Sequence, residues 1–277
     1  LDFSALAGEV RMKKAIPVWA EGRETEKNLN LGFRAIFSAT TNKDVILRIT
    51  ASTLYRVYLN GEFLGYGPAR ASHGYFRVDE YDISRKVRKD GNILAIEVAG
   101  YNINTFYTID QPSFLQAEVQ SAGQIVLATG SNPGFEAFEI KERLQKVERY
   151  SYQRPFTEYY RLANGFDQWK FSAKATKEPL KLASFPLVKL LGRNLPMPGF
   201  DVVHPVTVCS AGTIQLQKPE KYKKDRSLTQ ISDLLKGYKE DELEVVPSLT
   251  VQEITNKTQD TVAKPFTGKE IRLDKNQ

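Results

Sequence analysis

Apolar and polar positions alternate over much of the first half of the chain. Runs of period two, or nearly so, occupy residues 33–37, 45–50, 55–59, 75–78, 93–98 and 114–119. That period sends successive side chains to opposite faces of a β-strand. In the third run Tyr55, Val57 and Leu59 share one face, opposite Leu54, Arg56 and Tyr58. In the fifth, Leu94, Ile96 and Val98 oppose Ile93, Ala95 and Glu97. One face is apolar and the other mixed, as two antiparallel sheets packed face to face require. Asn60-Gly61 stands between two such runs. It predicts a tight hairpin, because a type I′ turn needs positive φ at both central residues. The pattern predicts an all-β protein whose main unit is a jelly-roll sandwich.

From Gln124 the pattern loosens. A strand is expected over residues 125–129 and a turn over 131–134. An aromatic and basic segment, RYSYQRPFTEYYR, fills residues 149–161, and FDQWK follows at 166–170. Pro179, Pro186, Pro196, Pro198 and Pro205 then mark an extended connector. Beyond it, residues 206–208 and 213–216 read as strands. One helix is expected, capped by Ser227 and Gln230, striped by Ile231, Leu234 and Leu235, and ended by Gly237. Short strand-like pieces return at 244–254 and 269–273. The reading divides the chain into a jelly-roll domain over residues 1–180 and a second, smaller β-sandwich over 181–277. The latter stops at Gln277 without an obvious closing element.

Composition narrows the function more by exclusion than by pointing. A length of 277 residues with 41% hydrophobic and 26% charged residues fits an ordinary globular protein with one or two cores. Thirteen Tyr, fifteen Phe and two Trp are generous for this length, and they serve sandwich cores as well as sugar sites. The net charge is +6 and the pI about 9.1, but Lys and Arg are interspersed with Asp and Glu. No concentrated basic groove results, so a nucleic-acid partner is not expected. Cys209 is the only cysteine, which rules out an intrachain disulfide. With His73 and His204 the only imidazoles, a zinc site of the usual Cys/His kind is excluded. No apolar run approaches the length of a membrane span. The chain starts at Leu1 without an initiator Met, as after removal or omission of a signal peptide.

Several pieces, in order, carry a resemblance. They are FRAIF (33–37), YRVYLNGEFLGYGP (55–68), YFRVDEYDIS (75–84) and GNILAIEVAGYN (91–102), then FDQWK (166–170) and LPMPGFDVVHPVTV (195–208). Together they resemble the N-terminal region of bacterial α-L-rhamnosidase-like enzymes of glycoside hydrolase family 78. The resemblance covers most of residues 15–210. It implies a galactose-binding-like jelly roll, a linker, and a second sandwich. It also implies an inverting hydrolase acting on rhamnose-containing glycans, whose catalytic carboxylates lie in an (α/α)₆ barrel beyond Gln277. By that resemblance the chain is the accessory, non-catalytic front of such an enzyme, inactive alone and periplasmic or secreted. Its partners would be a rhamnose-containing glycan and the catalytic domain. No cofactor is expected; calcium, which needs only oxygen ligands, is left open but unsupported by any ligand spacing. The reading from another class is a free-standing carbohydrate-binding or surface adhesion module with no enzymatic activity.

Candidate residues follow from what sugars require: planar rings against C–H faces, and polar side chains against hydroxyls. Two loops have that composition. Residues 67–74 carry Arg70 and His73, and residues 100–112 carry Tyr101, Asn102, Asn104, Tyr107 and Asp110. The same residues would serve equally as anchors for a docked catalytic domain, with simple solvation a further option. No catalytic residue is assigned. Hydrolysis of a glycoside needs two opposed carboxyl groups. Asp79, Glu80 and Asp82 read as a solvated strand end instead, and Glu97 as an ion-pair partner of Arg56 or Arg48 across the sheet. A small enzyme using Asp79 and Glu97 is the remaining option. The 149–161 segment is read as a strand passing between sheets with Arg154 and Arg161 paired to acids, and Cys209 as a structural thiol. Asn256-Lys257-Thr258 matches a glycosylation sequon.

Overall fold

The alternating runs become the strands of two facing sheets. The structure is a computed structural model that describes residues 12–132, 134–149, 151–174, 177–201, 203–204, 207–217, 232–245 and 251–265. In chain order the strands are β1 (Val18–Ala20), β2 (Leu29–Phe37), β3 (Val45–Ala51), β4 (Leu54–Leu59), β5 (Glu62–Gly67), β6 (Tyr75–Asp82) and β7 (Asn92–Gly100). There follow β8 (Leu115–Ser121), β9 (Gln124–Ala128), β10 (Glu136–Glu139), β11 (Leu182–Ser184), β12 (Lys189–Gly192), β13 (Thr207–Gln217) and β14 (Val251–Pro265). One sheet has the order β11-β1-β8-β3-β6-β12, with β9 also paired to β8. The other runs β10-β2-β7-β4-β5. From β2 to β4 and again from β5 to β8 the chain changes sheet at each step, the wrapping of a jelly roll. The protein is an all-β sandwich.

The core lies between the sheets and is made by the faces the alternation predicts. Tyr55, Val57 and Leu59 of β4 and Leu94, Ile96 and Val98 of β7 are buried against Leu47 and Ile49 of β3 and Leu115 and Val119 of β8. The Asn60-Gly61 hairpin forms as expected, with φ of +53° and +86°. A bulge follows Val57, which re-registers Tyr58 opposite Phe63.

The outer face of the five-stranded sheet is not simply solvated. A 3₁₀ turn, Gln168–Lys170, lays Trp169 against Phe138 of β10, ring centroids 4.8 Å apart and nearly perpendicular. Gly32 in β2 lies beneath: a Cβ there would come within 2.5 Å of the Phe138 ring. FDQWK therefore closes the outer face of this sheet. A second small core, with Tyr101, Ile103, Leu144, Val147 and Phe156, is packed against Tyr238 and Val245.

Two strands past residue 180 belong to the first sandwich. β11 pairs antiparallel with β1, and β12 pairs parallel with β6. Beyond residue 200 the described strands are β13 and β14, paired antiparallel with two register shifts. β13 is one strand where two pieces are expected. The expected helix appears as one turn, Asp233–Lys236, ended at Gly237. Its expected cap at Ser227 and Gln230 lies outside the described residues, as do the side chains of Cys209 and Asn256 and the piece at 269–273. Among the described residues, no helix is long and apolar enough to cross a membrane.

Candidate functional site

The β5–β6 and β7–β8 loops meet at one end of the sandwich. With the corner between β3 and β4 they enclose an open cleft of about 300 Å³. The β7–β8 loop is held by its own polar groups. Thr105 Oγ1 accepts the backbone N–H groups of Tyr107 (3.1 Å) and Thr108 (2.9 Å), while the Thr108 hydroxyl donates to the Ile103 carbonyl (3.0 Å). This turn needs hydroxyls where the sequence has them, since a short Thr side chain can replace a missing strand partner. Gln111 Nε2 fastens the loop to the Ser52 carbonyl at 2.8 Å. On the other side, the Arg77 guanidinium donates to the carbonyls of Arg70 (2.8 Å) and Gly192 (2.9 Å), tying the β5–β6 loop to the end of β12.

Three of the seven candidate residues line this cleft: Arg70, His73 and Tyr107. The Arg70 guanidinium lies over the Tyr107 ring, 5.4 Å from its centroid. Burial raises the Tyr107 hydroxyl above the ordinary tyrosine range, so it is a neutral donor at physiological pH. Phe106 lines the same cleft and is largely exposed, 69% of its surface, leaning edge-on against Tyr152. An exposed ring on a loop held rigid by four hydrogen bonds is a platform for an apolar or C–H face.

The other four lie elsewhere. Asn102 is buried at φ +44°, its amide donating to the Glu26 carbonyl (2.8 Å) and to Ser113 Oγ (2.9 Å), so it is spent on the fold. Asn104 accepts from the Asp110 N–H at 3.0 Å, a bond within the loop on its exposed side. Tyr101 is buried in the second core and faces a different cleft. Phe106, adjacent to Tyr107, was not among the candidates; the sequence signal for it was the loop itself.

The acidic residues correct part of the sequence reading. Asp79 is not at a solvated strand end: it is fully buried, bound by Arg193 Nη1 at 2.7 Å and by the Tyr55 hydroxyl at 2.5 Å. Glu80 and Asp82 are exposed as expected, Glu80 paired with Arg48 (3.4 Å) and Asp82 capping Ser84 N–H (2.9 Å). Glu97 does pair with Arg56 across the sheet at 3.8 Å, but its tighter partner is Lys170 at 2.8 Å. Arg149 in the aromatic-basic segment is buried and bonded to main-chain carbonyls rather than to acids. Arg161 does reach an acid, Glu244, at 3.9 Å.

The lining of the first cleft contains Arg, His, Tyr, Phe, Thr and Gln but no carboxylate. What such a lining offers is ring faces and hydrogen-bond donors, without a carboxylate for acid–base chemistry. Among the described residues, no cluster of three or more His, Cys, Asp or Glu side chains could hold a metal ion.

No family model matches the chain, and no curated protein matches it in sequence. Solved structures do match its fold. One is the family 78 rhamnosidase of Bacillus sp. GL1, with a TM-score of 0.64 and 23% identity, covering 76% of this chain and 23% of that one. Another is the α-L-rhamnosidase of Aspergillus terreus, with a TM-score of 0.52 and 16% identity, covering 73% and 25%. The chain thus spans about a quarter of the length of the rhamnosidases it is similar to, and the likeness is one of fold.

Proposed function

We propose that this chain is the non-catalytic, carbohydrate-contacting or barrel-docking β region of an α-L-rhamnosidase-like inverting glycoside hydrolase acting on rhamnose-containing glycans. The observation that carries the reading is the fold likeness to the Bacillus rhamnosidase over three quarters of this chain but under a quarter of that enzyme. The cleft formed by Arg70, His73, Phe106 and Tyr107 supports a sugar-contacting role, since it offers what a pyranose ring needs and lacks the carboxylate pair that hydrolysis needs. In this reading β13 and β14 open a second β unit, and the protein works outside the cytoplasm.

Two measurements test it. The source reading frame read past Gln277 is expected to continue into a long helical region with paired carboxylates; a frame without one sinks the hydrolase reading and leaves a free-standing binding module. Calorimetric titration of the full chain with rhamnose-terminated oligosaccharides is expected to give weak binding. Tyr107→Ala and Arg70→Ala are each expected to lower it about tenfold, as loss of one ring or one charged donor does in a small site. Binding that survives both substitutions would remove this cleft from the proposal.

A further inference from the structure

A second cleft, of about 360 Å³, lies on the outer face of the five-stranded sheet, where Tyr101 points. Its floor comes from β4 and β7 and its far wall from residues 140–160. Arg56, Arg143, Glu97, Glu158, Tyr66 and Tyr160 line it. Glu158 and Tyr160 come from the aromatic-basic segment 149–161, while Arg143 stands outside every strand pattern.

The charges in this cleft do not balance. Glu97 is taken up by Lys170 at 2.8 Å, with both side chains mostly buried. Arg56 also reaches Glu97, at 3.8 Å, so two guanidiniums and one ammonium share two carboxylates, an excess of one positive charge. Arg56 Nη2 lies 3.6 Å and Arg143 Nη2 lies 3.4 Å from the same oxygen, Glu158 Oε1. Both distances exceed the roughly 2.7–2.9 Å of a charge-assisted hydrogen bond. The Glu158 Oε2 oxygen accepts from the Tyr160 hydroxyl at 3.3 Å. Arg143 is the telling residue. Its side chain is only 10% exposed, and the contacts of its Nη2 are both long, 3.4 Å to Glu158 and 3.4 Å to the Tyr101 hydroxyl. A guanidinium held so loosely, in a fork that suits a carboxylate, can take up a better-placed anion. Tyr101 and Tyr160 flank it with their rings, 5.9 and 6.0 Å from its carbon, while Tyr66 leaves half of its surface open at the rim.

We propose that this second cleft binds a saccharide carrying a carboxylate, a uronic acid residue, with Arg56 and Arg143 holding the carboxylate and a tyrosine ring covering the sugar. The inference rests on the carbohydrate reading above but uses a different site. A ligand carboxylate supplies the anion that the excess cationic charge calls for and can engage the two guanidiniums at the short, forked distances that Glu158 does not reach. Glu158 occupies that place in the free protein through long, loose contacts, so it acts as an internal competitor that the ligand displaces.

The test uses the full chain and four probes: the methyl glycosides of glucuronic and galacturonic acid, and the uncharged methyl esters of each. Heteronuclear NMR titration is expected to show the acids binding at least about tenfold more tightly than their esters. Arg56→Gln, at a half-exposed position that the fold tolerates, is expected to remove that preference, and Arg143→Met to do the same in protein whose melting curve is intact. Glu158→Gln is expected to strengthen uronide binding several-fold, because the competitor is gone. Arg70→Ala in the first cleft should change none of this. Equal affinity for acid and ester, a preference that survives Arg56→Gln, or weaker binding by Glu158→Gln overturns the proposal. If the acids do not bind while rhamnose-terminated oligosaccharides still do, this inference falls and the function proposed above stands. If neither binds, both fall.

Discussion

Asp79 alternates with Tyr81 along β6, so period two sends both side chains into the sandwich, while Glu80 and Asp82 face out. A carboxylate buried in that position needs strong partners, and Arg193 arrives from just beyond β12 to supply one. The Tyr55 hydroxyl donates to Asp79 and lies 3.1 Å from that of Tyr81. Asp79→Asn removes the charge and strands a mostly buried guanidinium. It is expected to cost about 3–5 kcal/mol, the usual penalty for halving a buried pair, read from urea denaturation. Arg193→Met should cost a similar amount, and the double variant clearly less than the sum, since each single change leaves one charge alone. The tyrosines add a pH prediction. Burial, above all, raises Tyr81 to about 12 and holds Tyr55 well above 10, with the Asp79 charge adding to both. Their folded values lie above the unfolded one. The stability they contribute is therefore complete below pH 10 and lost as pH rises from 10 through about 12. Ultraviolet tyrosinate titration should show late-ionising groups, Tyr55 and Tyr81 among them, that appear together with loss of the fold; early, reversible ionisation of all the tyrosines would contradict it.

The elements show which physical signals a single chain carries. Strands β2, β3, β4, β7 and β8 are long enough to display their period, and they sit where the alternation puts them. The hairpin was readable for a chemical reason: Asn and Gly tolerate the φ that the turn demands. Gly61→Ala is expected to destabilise the protein by about 1–2 kcal/mol through positive φ alone. The added Cβ would also lie 2.8 Å from the Phe171 Cβ, so the measured loss should sit at the upper end or above. A melting curve unchanged by Gly61→Ala would mean the turn can re-form in another shape. What the sequence hid follows equally from physics. β1, β11 and β12 have three or four residues each, too few for a period to register. Residue type predicts a solvated Asp79 and alternation a buried one, and alternation is right. Glu118 in β8 repeats the lesson. It is fully buried because three consecutive backbone N–H groups, of Lys13, Lys14 and Ala15, converge on its carboxylate at 2.9–3.2 Å. The candidate loops were found by composition, but the split of their residues between cleft and scaffold depends on which amides were needed for the fold, as Asn102 was. The second cleft joins Arg56 to Arg143 and Glu158 across long separations, and no local pattern announces it.

At the scale of the whole molecule, both clefts stand on the same foundation. The second small core packs Tyr101 and Ile103, at the root of the β7–β8 loop, against Val147 and Phe156, whose segment walls the second cleft. Arg149 locks these pieces together. It is buried, and its guanidinium donates to the main-chain carbonyls of Asn104, Tyr152, Arg154 and Leu235. Burial correspondingly lowers its pKa from the usual arginine value. One side chain thus fastens the first-cleft loop, the segment leading to the second cleft, and the helical turn Asp233–Lys236. A fork of five donors does this where an ammonium could not, so Arg149→Lys should fail nearly as badly as Arg149→Met. Both variants are expected to keep the slow hydrogen exchange of β2 and β7, whose ladder is remote from the lock, while exchange quickens over residues 101–111 and 233–245. Affinity should then fall at both clefts together, whereas Arg70→Ala and Arg56→Gln each affect one. Unchanged exchange over both segments would show that the apolar contacts of Phe156 and Tyr238 hold the foundation without the arginine.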